Sequence, residues 1–181
     1  MREVDLGKSR KARVWLDSLP PIGCVGETRE IMVLPAAGKS NLRRLAAVEV
    51  YVPLGGRFQY GLVGCQVVPS QAGQLRVVIA VDESSSKVFD TSLLSSSLDV
   101  SYVGLPKEYI PALKEGFRLA EEQLGGTGAG DLVITQSVYS NIGSSPNTFK
   151  ILAIVLMHLI HLVTVNPTNE EIVALFEDAW I

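Results

Sequence analysis

The chain predicts an α+β fold, and three observations carry that expectation. Runs rich in Val, Ile and Tyr, bounded by Gly, Pro or Ser, recur as far as Val103, in the manner of short strands. From about Pro111 and again from Pro146 the apolar residues switch to helical spacing, each time with a proline where a first turn tolerates one. A further strand-like run, Asp131 to Tyr139, separates the two helices.

Taken in order, Lys8 to Arg13 is basic, and Val14-Trp15-Leu16 reads as a candidate strand running into the turn Ser18-Leu19-Pro20-Pro21. Glu30 to Leu34 is a short apolar run stopped by Pro35-Ala36-Ala37-Gly38, and Leu45 to Leu54 is strand-like. Gly55-Gly56-Arg57 makes a flexible corner. Tyr60 to Val68 and Gln74 to Val81 are β-rich runs around Pro69-Ser70-Gln71-Ala72-Gly73, a pattern that predicts a hairpin. The serine-rich stretch between Asp82 and Leu98 carries Val88, Phe89, Leu93 and Leu94, too apolar for a simple flexible linker. Asp99 to Val103 reads as the next strand.

Gly104 to Gly116 is the pivot of the chain. Pro106 and Pro111 each fix φ near the helical value and lack an N–H, so a helix starts at about Pro111. Leu113, Phe117, Ala120 and Leu124 form its apolar stripe, while Lys114, Glu115, Arg118, Glu121 and Glu122 fill the other face. Gly116 costs such a helix roughly 1 kcal/mol relative to alanine, which predicts close approach to an underlying sheet. Gly125 and Gly126 end it. Ser145 caps the second helix, whose run from Ile151 through Val163 leaves almost no polar stripe. Something must cover its outer side. The expected cover is a third helix, 168–180, opened by the capping box Thr168-Asn169-Glu170-Glu171, apolar at Ile172, Leu175, Phe176 and Ala179, and covering through Ile172, Leu175, Phe176 and Trp180; a second copy of the chain is the alternative.

Three segments also resemble one family. Pro106-Lys107-Glu108-Tyr109-Ile110-Pro111-Ala112-Leu113-Lys114-Glu115-Gly116, the run Arg57-Phe58-Gln59-Tyr60-Gly61-Leu62-Val63 entering a strand, and Ser144-Ser145-Pro146-Asn147-Thr148-Phe149-Lys150 opening the second helix are similar, in the same order, to motifs of domain IV of elongation factor G, the ribosomal translocase. The resemblance implies a mixed, mainly antiparallel β-sheet with two helices on one face, Pro111 to Leu124 and Pro146 to Val163. It divides the chain into a basic N-terminal extension, 1–44, able to pack on the core, and a domain IV-like part, 45–181. In that family the domain is a non-catalytic arm whose tip loops enter the decoding region of the small ribosomal subunit. The matching tip residues are Gly55, Gly56, Arg57, Phe58, Gln59 and Tyr60, with Asn141 in a second loop, Ser140 to Ser144, which is short and lacks the histidine usual there. A stand-alone ribosome-associated or RNA-binding module without a GTPase domain is one implied function. The other is a reused domain serving protein interaction or homodimer formation with no RNA contact.

At 181 residues the chain fits one domain and can bury on the order of 70% of its unfolded surface. A hydrophobic content of 47%, with 19% charged residues and a mean hydropathy of +0.26, excludes wholesale disorder and requires a large core or a covered interface. Met1 to Lys8 has no apolar signal region, and Cys24 and Cys65 make no disulfide framework, so a cytoplasmic chain with free thiols is expected. The net charge of −3 hides an asymmetry: residues 1–44 hold nine Lys or Arg against five acids, and the remainder seven against fourteen. Such a basic head suits an acidic partner such as RNA; a solvated charged tail is the plainer reading.

No catalytic constellation emerges, so no enzyme and no cofactor are expected. His158 and His161 share a helix face without an acid or cysteine to complete a metal site, and no Gly-x-Ser-x-Gly elbow surrounds a serine. The second helix is shorter than a membrane span and interrupted by those histidines. Gly38-Lys39-Ser40 lacks the earlier phosphate-loop glycine, its position being Val33, and the glycines at 125–130 follow a helix and precede a strand, the reverse of a dinucleotide site. Titration calorimetry with GTP or ATP is therefore expected to show no binding; micromolar affinity lost in Lys39→Ala would contradict this.

Overall fold

A computed structural model describes residues 1–23, 28–37, 42–70, 73–82, 87–94, 99–162, 164 and 166–180. Its strands are β1 (Arg2–Asp5), β2 (Lys11–Leu16), β3 (Thr28–Pro35), β4 (Leu45–Leu54), β5 (Arg57–Pro69), β6 (Gln74–Val81), β7 (Ser101–Val103) and β8 (Gly130–Ser140). Its helices are α1 (Ile110–Leu124), α2 (Pro146–His161) and α3 (Asn169–Ala179), with a 3-10 turn, Lys107–Tyr109, ahead of α1. The strands form one open sheet in the order β1-β2-β4-β5-β8-β6-β3, and β7 pairs with the end of β8. Among the described strand pairs only β6 with β8 is parallel. The α+β class and the mixed, mainly antiparallel sheet are those expected. The first 44 residues, anticipated as an extension, supply three of its strands: β1 and β2 at one edge and β3 at the other.

The hairpin expected from β5 and β6 does not exist. β8 lies between them, antiparallel to β5 with Leu132 opposite Val67, and parallel to β6 with Leu132 opposite Val77. Parallel neighbours need a crossover, here through α1, so this pairing depends on a segment far downstream that local turn chemistry does not reveal.

One face of the sheet, carrying Val48, Val50, Val63, Cys65, Val77, Ile79, Leu132 and Ile134, joins all three helices in the main core. Alternation sends Trp15, Ala47, Tyr60, Leu62 and Val138 to the opposite face, where Ile22, Phe89 and Leu94 cover them. The apolar residues of the serine-rich stretch are thus accounted for by residues 87–94, a strap across the back of the sheet; Ser84 to Ser86 and Ser95 to Ser97 lie outside the described residues, as do Cys24 and Gly38-Lys39-Ser40. Burial pushes the Cys65 thiol up to about 12.

Sequence rules place the helix ends well. Gly125 caps α1 at φ 67°, and the Ser145 hydroxyl accepts from the Thr148 N–H at 3.2 Å. At α3, Thr168 N donates to Glu171 Oε2 at 2.6 Å and Glu171 N to Thr168 Oγ1 at 3.2 Å, closing the capping box. α2 ends at His161, and Val163, expected within it, lies outside the described residues. Both histidines are structural: His158 Nε2 meets Gln123 Oε1 at 3.0 Å, while His161 Nδ1 reaches the Met157 carbonyl at 2.8 Å and its Nε2 accepts from Gly128 N at 3.3 Å. Burial lowers both rings below their ordinary value, favouring the neutral form. Among the described residues no helix is long and apolar enough to cross a membrane.

α2 is buried nearly all round, with α1 beside it and α3 packed against it and against β1. The cover is intramolecular, through Ile172 and Phe176, both fully buried. Gly116 has a different neighbour from the one expected: a side chain there would strike the Lys150 carbonyl and come 2.8 Å from the Ala153 Cβ, so the close approach is to α2 and not to the sheet. Gly116→Ala should therefore destabilise the protein by about 1–3 kcal/mol, although alanine favours an isolated helix by about 1 kcal/mol. An unchanged or higher urea midpoint would contradict the α1–α2 packing.

Candidate nucleic-acid interface

Register brings three turns to one end of the sheet. Lys11 stands opposite Tyr51 and Leu16 opposite Ala46, so the β1–β2 turn, Leu6 to Arg10, lies at the same end as the β4–β5 turn at Gly55 and Gly56. Leu62 stands opposite Val138, which brings the β8–α2 loop, 141–145, there as well. The second and third turns are tied together: Tyr60 N donates to the Gly143 carbonyl at 3.0 Å and the Ser144 hydroxyl to the Tyr60 carbonyl at 2.8 Å. The Phe58 ring lies so close over Gly143 that no side chain fits at that position.

The residues expected at the tip divide into two groups. Gly55, with φ 67°, Gly56, Arg57 and Asn141 are exposed at the loop end, and Ile142 beside them is 71% exposed. Phe58 is half-buried against Tyr51, their ring centroids 5.8 Å apart, and Gln59 is half-buried. Tyr60 is different. Its side chain is fully buried on the strap side of the sheet, so its contribution to the loop end is made by its backbone alone.

Sequence reasoning did not bring Lys8, Arg10 or Trp180 to this end. Lys8 and Arg10 on the β1–β2 turn and Trp180 after α3 line a cleft of about 410 Å³ together with Pro53 and Leu54 on β4 and the expected Gln59 on β5. The Arg10 guanidinium carbon lies 4.6 Å from the centre of the Trp180 ring, and its Nε and Nη2 donate to the Gly7 and Leu6 carbonyls at 3.0 and 2.6 Å. Such a stack is worth about 0.5–1 kcal/mol where solvent reaches it. The available signal was the alternation of Val4, Ala12 and Val14 around Gly7, which marks a hairpin and would have carried the basic run to the sheet end. Trp180 had no such signal, because its place depends on α3 docking beside β1.

Beneath the strap lies a buried charge. Glu49 is wholly enclosed; its Oε1 accepts from the Tyr60 hydroxyl at 2.9 Å and from Leu93 N at 2.8 Å. Its Oε2 makes no hydrogen bond and sits 3.6 Å from Arg13 Nη1, which also donates to the Thr91 carbonyl at 2.5 Å. Glu49 and Arg13 together hold residues 91–93 against the sheet. Burial raises the Glu49 carboxyl above its ordinary value, outweighing the opposing pull of Leu93, Tyr60 and Arg13, and burial together with the Glu49 charge holds the Tyr60 phenol well above its own. An acid enclosed in this way anchors residues 91–93 to the sheet.

Neither the models of known protein families nor the curated proteins searched give a match to this chain.

The Glu49 geometry gives a signed pH dependence. A carboxyl whose folded-state value is raised stabilises the fold fully below the ordinary value of 4.5, and that contribution is lost as pH rises through the raised value. Unfolding free energy should thus fall across this window in the native protein and fall less in Glu49→Gln. Parallel pH profiles from urea titrations of the two proteins would contradict it.

Proposed function

We propose that the chain is a non-catalytic RNA-binding module, ribosome-associated in keeping with its resemblance to domain IV of elongation factor G, and that it works through the loop end of its sheet. The observation that supports this reading is the placement of Lys8, Arg10 and Arg57 at one end of a molecule whose net charge is −3. Most Lys and Arg of an RNA-binding surface act by displacing counterions from phosphates, and a basic end on an acidic body orients an anionic polymer towards that end. The exposed Gly55-Gly56 turn and Asn141 lie at the same end, where backbone can approach a ligand closely.

A second reading, protein interaction or self-association without RNA, is favoured by one feature. β3 is an edge strand whose Ile31 and Val33 are 52% and 53% exposed on the face away from the helices. The two readings separate cleanly. Under the first, the protein co-sediments with ribosomal particles and binds single-stranded RNA with an affinity that falls with salt, and Arg57→Gln weakens binding and lowers the salt slope by about 1. Absence of RNA binding even at about 50 mM salt, with a dimer in sedimentation equilibrium that Ile31→Lys dissociates, would replace the first reading by the second.

A further inference from the structure

Resting on the RNA-binding reading, we infer that the cleft between the β1–β2 turn and Trp180 holds one splayed-out nucleotide of a single-stranded RNA, with its phosphate at Lys8, its base against the Arg10–Trp180 stack and its base edge within reach of the Gln59 amide. The size fits: about 410 Å³ lies in the range of about 300–1,000 Å³ typical of small-ligand sites. The lining combines a cation at the mouth, an apolar wall from Pro53 and Leu54, a planar stacking surface and one amide able both to donate and to accept. Single-stranded nucleic acid is bound by this combination of a basic track and stacking planes, whereas a duplex keeps its bases paired inside.

The backbone supplies a second, independent observation. Gly7, Lys8 and Ser9 have φ of 74°, 54° and 63°, three consecutive left-handed residues of which only the first is a glycine. A turn built for stability alone would place Gly or Asn at the second and third positions, because other side chains are strained there. Strain of this kind gathers at ligand clamps. Here it sets the backbone of Lys8, a residue that lines the cleft. Arg10 is held through its side chain, since two backbone carbonyls accept from its guanidinium over the Trp180 ring. Asp5, the acid of the turn, accepts from the Gly7 N–H at 2.8 Å, which ties its Oδ1 to the turn backbone.

Lys8→Asn tests this with little risk to the fold, because asparagine tolerates the left-handed backbone while removing the charge. In the full chain, anisotropy with fluorescein-labelled single-stranded RNA decamers should show roughly fivefold weaker binding at about 0.1 M salt and a salt slope lower by about 1, with a urea midpoint unchanged or raised. Gln59→Leu should alter the preference among oligo-A, oligo-U and oligo-C while leaving the salt slope alone, and Trp180 emission should be quenched by RNA. If Lys8→Asn and Gln59→Leu bind as the native protein does while Arg57→Gln is weakened, RNA binding stands and the cleft assignment falls. Equal affinity for a matched duplex, or displacement of RNA by polyglutamate of equal charge, overturns the assignment. If the native protein binds no RNA at any salt, the functional reading and the cleft fall together.

Discussion

An α-helix without a polar face persists in water only when it is enclosed, and α2 imposes that condition on everything around it. Ile151 to Met157 and then Leu159 and Ile160 are buried without a break, leaving only His158 partly open in that span. The sheet supplies one wall through β4 and β5, α1 a second and α3 a third. Each wall has a visible adaptation. Gly61 leaves room for Leu152 and Thr148 of α2, and Gly116 lets α1 come within backbone contact. The capping box holds α3 in register to lay Ile172 and Phe176 over what remains. Burial of one apolar helix therefore explains why a third helix follows α2 and why that helix reaches back to β1.

The two faces of the sheet are stabilised in different ways. The helix side is a continuous apolar core, whereas the strap side is partly polar, with Glu49 and Arg13 fastening residues 91–93. A buried carboxylate near an arginine is a weak source of net stability, because desolvation cancels much of the attraction, but it penalises alternative placements of the strap. Tyr60 connects this anchor to the loop end: its side chain binds Glu49 while its backbone binds Gly143 and Ser144. The backbone that holds the tip loops and the side chain that meets the charge pair of β4 and β2 thus belong to one residue.

What could be read from the sequence was mostly local. The starts of α1, α2 and α3 were legible because prolines and capping hydroxyls act within one turn, and the strand runs were legible from their β-branched residues. Three things were not. β5 and β6 looked like a hairpin, since nothing nearby announces that β8 separates them. Gly116 marked a close approach, but the expected partner was the sheet and the actual one is α2. The basic head read as a charge imbalance, and only the antiparallel register of β1, β2 and β4 turns it into Lys8 and Arg10 at the loop end. Of the candidate site, the exposed Gly55, Gly56, Arg57 and Asn141 were legible as turn residues, whereas the burial of Tyr60 and the arrival of Trp180 are long-range outcomes of packing.

The middle position of β8 has a consequence for biosynthesis. The strand that joins the two halves of the sheet is the last of the eight to be made. Until Ser140 has emerged, β1, β2, β4 and β5 can assemble as one antiparallel half and β3 with β6 as another, each with a long inner edge whose N–H and C=O groups have no partner. On β5 that edge runs from Leu62 to Pro69 and carries Val63, Val67 and Val68. A nascent chain at that stage is two unfinished sheets waiting for the same strand, and a product truncated before Gly130 keeps both edges open to pairing with other chains.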